Sequence, residues 1–198
     1  MISINSIVIT AAAVVISYFI GNISPATVVG KLHGVDIRKE GSGNPGTTNV
    51  LRTLGKKAAA VTLIIDILKG AVPVIIGAFA GPVFAFGCGT MAMIGHVWPF
   101  QFKFKGGKGV ATGIGVVLAV NPILGLMLLV IFAAVVAITR YVSLGSCIAA
   151  FVMPALAIVL VPDFFWFAVI IAAIIIIKHR ANLARIVRGE ESKLSFSK

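Results

Sequence analysis

VATGIGVVLAVNPILGLMLLVIFAAVVAIT, residues 110–139, carries no charged side chain from end to end. As one helix it would reach about 45 Å, well past a hydrocarbon core of about 30 Å. Asn121-Pro122 sits inside it, and that pair is a breaker that cuts a run too long to be one helix. The run therefore reads as two spans, 110–120 and 123–139, joined by a tight turn.

Working outward, the same reading divides the remaining apolar runs. They fall at residues 7–29, 58–80, 83–100, 144–161 and 164–177, with Gly81-Pro82 and Pro162-Asp163 as two further breaks. The composition agrees with a chain of spans: 59% of residues are hydrophobic, 12% are charged and the mean hydropathy is +1.09. A soluble domain carries about 25% charge, so that class is excluded. The chain reads as an all-α, polytopic membrane bundle in one domain, residues 1–198.

Charge fixes the count and the orientation. If the three breaks are turns on the outer side, every Lys and Arg from Lys31 to Lys198 except Lys69 lies on the opposite side, 16 of the 17. The positive-inside rule then gives seven transmembrane helices, some short, with the N-terminus outside and the C-terminus cytoplasmic. The short spans need tilt or local thinning of the bilayer. The net charge of +11 lies in loops on one face, which speaks against nucleic acid as a partner. No Lys or Arg precedes the first run, so it is expected to stay as a span and not to be cleaved as a signal. Cys88 and Cys147 lie in apolar runs and read as small hydrophobes, with neither disulfide nor metal expected.

Three polar stretches share the predicted cytoplasmic face. The first, residues 41–52 (GSGNPGTTNVLR), combines three glycines, short polar side chains and an arginine, which suits a phosphate group. Asn44 reads as a helix cap with Pro45 at the first helical position, turning backbone N–H groups toward an anion and placing Thr48 and Arg52 on one face. The second, Gly106-Gly107-Lys108-Gly109, is a glycine-flanked lysine but no Walker A loop, since Gly109 stands where that motif needs Ser or Thr. Phe102 and Phe104 alternate with Lys103 and Lys105 as interfacial anchors, and His96 and Trp98 read as members of an aromatic belt. The third runs from Lys178 to Glu191, where His179 and Asn182, three apart, face the same way and can orient a hydroxyl or phosphate. Ser143 and Ser146 precede it, Ser143 as a helix cap and either serine as part of a polar pocket. Inside the second span Asp66 and Lys69 share a face, either as a structural ion pair or as a brace beneath the site.

These residues resemble the bacterial acyl-phosphate-dependent glycerol-3-phosphate acyltransferase family, PlsY. The likeness rests on Gly21-Asn22-Ile23-Ser24-Pro25, Asp36-Ile37-Arg38-Lys39, GSGNPGTTNVLRTLGKK, Asp66-Ile67-Leu68-Lys69-Gly70, GHVWPFQFKFKGGKGVAT, RYVSLGS and the terminal His-Arg-x-Asn with Gly-x-Glu. It implies transfer of a fatty acyl group from acyl phosphate to glycerol 3-phosphate, giving lysophosphatidic acid and phosphate, in a bacterial cytoplasmic membrane with the site on the cytoplasmic face. By likeness to the motifs, Ser42, Gly43, Gly46, Thr48 and Asn49 would cradle acyl phosphate. Arg52, Lys108, Ser146, His179 and Asn182 would hold glycerol 3-phosphate, with His179, Lys108 and Arg52 carrying the chemistry. The usual pattern has Ile and Ala at Pro45 and Thr47, and Thr at Glu190; none of these departures removes a proposed contact.

No cofactor, metal or obligate protein partner is implied; the lipid bilayer and the two substrates are. Neither a Ser-His-Asp grouping nor a His-x-x-x-x-Asp motif is present, so direct attack without a covalent acyl-enzyme is expected. The proton would pass to His179 or to the substrate's own phosphate. The rival reading is a small anion channel or exporter, against which the nearly uncharged outer turns count.

Overall fold

The apolar runs that break at Gly-Pro, Asn-Pro and Pro-Asp become helices in the computed structural model, which describes residues 4–194. Lys198, the last residue used in the sidedness argument, lies outside them. Ten α-helices occur among the described residues: α1 Ile4–Asn22, α2 Pro25–Leu32, α3 Thr47–Leu54, α4 Lys56–Ala78, α5 Pro82–Val97, α6 Val110–Val120, α7 Pro122–Thr139, α8 Val142–Leu160, α9 Phe165–Lys178 and α10 Arg180–Val187. No strand is present among those residues, and the all-helical expectation holds.

The breaks act as the sequence demands. Asn121 caps α7 by accepting from the Leu124 N–H at 2.9 Å, and Pro122 takes the first helical position. Pro82 starts α5 after Gly81, whose φ of +117° suits glycine. Among the described residues five stretches are long and apolar enough to cross a membrane: Ala11–Leu32, Lys56–Ala78, Pro82–Phe102, Pro122–Thr139 and Val142–Leu160. A sixth forms if Pro162–Lys178 and Arg180–Val187, bent by 52°, count together, and α6 is a shorter apolar helix.

The chain makes two compact units, Met1–Val120 and Asn121–Lys198, divided at the Asn121-Pro122 break. In the first, α1 packs on α5, α4 packs on both α5 and α6, and α3 lies against α4. Small residues permit the close approach: a Cβ on Gly95 would strike the Tyr18 carbonyl oxygen, and one on Gly115 the Ile67 carbonyl oxygen. Membrane helices associate through such contacts, because burying apolar surface gains little in lipid. In the second unit α8 packs between α7 and α9, with α10 against α8 and α9. Cys88 and Cys147 are buried free thiols.

Candidate functional site

In the first unit the glycine-rich stretch is folded around one side chain. Asn49 is 1% exposed. Its Oδ1 accepts from the Ser42 N–H at 2.9 Å, and its Nδ2 donates to the Ile37 and Glu40 carbonyls at 3.0 Å each. A Cβ on Gly41 would collide with that Oδ1, and Gly41 itself sits at φ +56°. The loop is thus tied to the first turn of the helix that follows it.

The helix does not start where the Asn-Pro pair suggested. Gly46 is the N-cap, extended at φ −147°, and α3 begins at Thr47. Asn44 cannot cap because the chain turns once more: the Gly46 N–H donates to the Asn44 carbonyl at 2.9 Å. The shift leaves Thr48 and Arg52 both inside α3, four residues and about one turn apart, as expected. Ser42 and Arg52 are exposed and Thr48 is half-buried. Gly43, at φ +68°, donates its N–H to the Glu40 carbonyl at 2.9 Å.

Arg38 joins this loop to the lysine loop. Its Nη1 donates to the Lys105 carbonyl at 2.7 Å, and its guanidinium carbon lies 4.1 Å from the centre of the Phe102 ring. Burial holds the guanidinium below its usual range, partly offset by Asp36. The alternation read from residues 102–105 is replaced by a tight turn, with Lys103 and Phe104 at φ +52° and +59°. Phe102 is turned in under Arg38, while Lys103 and Lys105 remain exposed. Lys108 is half-buried between Gly107 and Gly109.

His96 is no belt residue. It is 8% exposed, with Nδ1 3.3 Å from Asp66 Oδ1 and 3.1 Å from Thr112 Oγ1. Asp66 and Lys69 do form the expected ion pair, at 2.8 Å, and Lys69 also donates to the Ile23 carbonyl at 2.6 Å, across the break between α1 and α2. A crevice with room for about one water molecule lies beside this group, lined by Asn22, Arg38, Lys69, His96, Gly106 and Gly107 among others.

In the second unit His179 ends α9 and precedes α10, 4% exposed. Its Nδ1 lies 2.8 Å from the Ile175 carbonyl. A carbonyl can only accept, so Nδ1 carries a proton, and in the neutral imidazole Nε2 is the accepting nitrogen. Asn182, 7% exposed, donates Nδ2 to Glu191 Oε1 at 2.6 Å. Ser146 donates to the Val142 carbonyl one turn back, at 2.9 Å. Ser143 is no cap: α8 starts at Val142 after Tyr141, and the Ser143 hydroxyl donates to Glu191 Oε1 at 2.9 Å.

Glu191 is the hub that the sequence did not reveal. Its side chain is 8% exposed and also accepts from Arg185 Nε at 2.7 Å. Burial alone would raise its pKa, but the bonds from Asn182, Ser143 and Arg185 outweigh it and hold the carboxyl below the usual glutamate range. The signal was available: the chain has only six acidic residues among 17 basic ones, so each acid is a candidate partner.

Comparison with known proteins bears on this arrangement. Residues 11–189 match the family model described as glycerol-3-phosphate acyltransferase. A Clostridioides difficile protein named glycerol-3-phosphate acyltransferase is 46% identical, covering 93% of this chain and 95% of its own. One of the same name from Geobacter sulfurreducens is 44% identical, covering 96% and 98%. Two crystal structures described as PlsY, an integral membrane glycerol 3-phosphate acyltransferase, are also similar. The glycerol 3-phosphate form has a TM-score of 0.90 at 37% identity, covering 94% of this chain and 96% of that one. The lysophosphatidic acid form has a TM-score of 0.88 at the same identity.

Proposed function

Since the chain belongs to the glycerol-3-phosphate acyltransferase family, we propose that it moves a fatty acyl group from acyl phosphate to glycerol 3-phosphate. The observation that carries the reading is the likeness, along 94% of the chain, to a solved acyltransferase in its glycerol 3-phosphate form. The protein would sit in a bacterial cytoplasmic membrane with seven spans, N-terminus outside and its polar loops facing the cytoplasm.

Following the family's motifs, Ser42, Gly43, Gly46 and Thr48 receive acyl phosphate, and Asn49 shapes that loop from within. Arg52, Lys108, Ser146, His179 and Asn182 are assigned to glycerol 3-phosphate. The substrate hydroxyl attacks the acyl carbonyl carbon, the bond between that carbon and the bridging phosphate oxygen breaks, and phosphate leaves with the electron pair. The hydroxyl proton goes to His179 Nε2 or to a phosphate oxygen of glycerol 3-phosphate itself. An acyl phosphate is a mixed anhydride with a good leaving group, so positioning, worth about 7–11 kcal/mol when well oriented, is the larger part of the task. Arg52 and Lys108 would stabilise the developing negative charge.

Incubating the purified protein with palmitoyl phosphate and labelled glycerol 3-phosphate should give labelled lysophosphatidic acid; no labelled lipid would overturn the reading. Acid-quenched single turnovers should trap no acylated protein. A stable acyl-protein that forms and decays at the catalytic rate would replace direct attack with a two-step route.

A further inference from the structure

We infer that His96 is a positioning residue for Lys108, held in place by the buried Asp66. The inference rests on the reading that Lys108 binds glycerol 3-phosphate. Ionisable groups at span depth are rare enough to require a task, and this cluster has three, Asp66, Lys69 and His96, none more than 8% exposed. Lys69 is accounted for by Asp66 and the Ile23 carbonyl. His96 is not explained by that pair alone.

The imidazole touches three parts of the fold at once. Its Nδ1 faces Asp66 on α4 and Thr112 in the first turn of α6. The carboxylate can only accept, so Nδ1 carries the proton. The opposite edge of the ring abuts the lysine loop: a Cβ on Gly107 would overlap His96 Nε2. The backbone adds two ties, the Gly107 N–H to the His96 carbonyl at 3.2 Å and the Gly106 N–H to the Val97 carbonyl at 3.1 Å. Gly109, at φ +79°, then turns the chain into α6. Lys108 is therefore suspended between a residue pressed on the imidazole and a helix whose first turn contacts the same imidazole. The glycine just before the lysine, Gly107, is explained by this approach as well as by any anion.

The test is steady-state kinetics and equilibrium binding of glycerol 3-phosphate on the full-length protein in detergent. His96→Leu should raise KM for glycerol 3-phosphate roughly tenfold or more, the scale of one charge-assisted contact, with a much smaller change in kcat. His96→Asn places an amide nitrogen where Nδ1 stands and should recover most of that loss. Gly107→Ala, which leaves the buried charges intact, should give the same KM defect. In a Lys108→Ala background, His96→Leu should weaken binding no further. If wild-type protein makes no lysophosphatidic acid, or Lys108→Ala leaves affinity unchanged, the assignment of Lys108 falls and this inference with it. If those hold but His96→Asn is no better than His96→Leu, Gly107→Ala is silent, or the double variant is additive, His96 is only structural and the inference alone is overturned.

Discussion

Arg52 stands one turn past Thr48 on α3, exposed, with the loop that precedes it knotted around Asn49. Removing its charge should raise KM for glycerol 3-phosphate by about 10–100-fold, since a hydrogen bond to a charged group contributes about 1.5–3 kcal/mol. Arg52→Lys should recover part, as an ammonium lacks the planar fork. Steady-state kinetics with each substrate varied in turn checks this; a shift confined to the acyl phosphate KM would reassign the residue. His179→Ala is read the same way: a fall in kcat marks a proton acceptor, and a rise in KM alone marks a binder. Gly41→Ala should destabilise the protein by about 1–3 kcal/mol, read as a lower Tm, because it combines a left-handed backbone with a collision at Asn49. Residue types at these positions were legible in the sequence, but their direction was not. Asn49 was expected in the acyl-phosphate cradle, and in the fold its amide also holds that loop through Ser42, Ile37 and Glu40, partners that only the folded loop brings near. His96 read as interfacial because nothing local placed Asp66, thirty positions away, beside it.

Elements were read better than their caps. The Asn121-Pro122 and Gly81-Pro82 pairs break the apolar runs as expected, and in the fold they start α7 and α5, because capping and proline geometry are local. Asn44-Pro45 failed by two residues, since the extra turn at Gly46 depends on the loop being pinned from Asn49. The same dependence governs the C-terminal segment. Glu191, held by Asn182, Ser143 and Arg185, fastens the end of α10 to the start of α8. Its folded pKa lies below its unfolded one, so its stabilisation is fully present above the ordinary glutamate range and is lost as pH falls through the depressed value. Wild-type Tm should therefore drop on acidification more steeply than that of Glu191→Gln, which already lacks the charge. Parallel curves from thermal melts at stepped pH would show that Glu191 carries no such linkage.

At the scale of the molecule, the exposed side chains include Phe79, Val130, Ile138 and Trp166, each above 65% exposure, as a lipid-facing surface requires. The all-helical architecture was legible because apolar run length and breakers are written locally; the division at Asn121 into two units was not, since it reflects packing between runs. The proposed sidedness rests on charge alone and is tested by labelling. With Cys88 and Cys147 replaced by Ser, a single Cys at Asn121 should react with an impermeant maleimide in intact cells, and one at Lys105 only after lysis. Equal labelling of both would overturn the orientation. The central claim is the donor. Purified protein given glycerol 3-phosphate with acyl phosphate, acyl-CoA or acyl carrier protein should form lysophosphatidic acid from acyl phosphate alone, one inorganic phosphate appearing per lipid. Equal or faster turnover from either thioester donor, with no phosphate released, would contradict it.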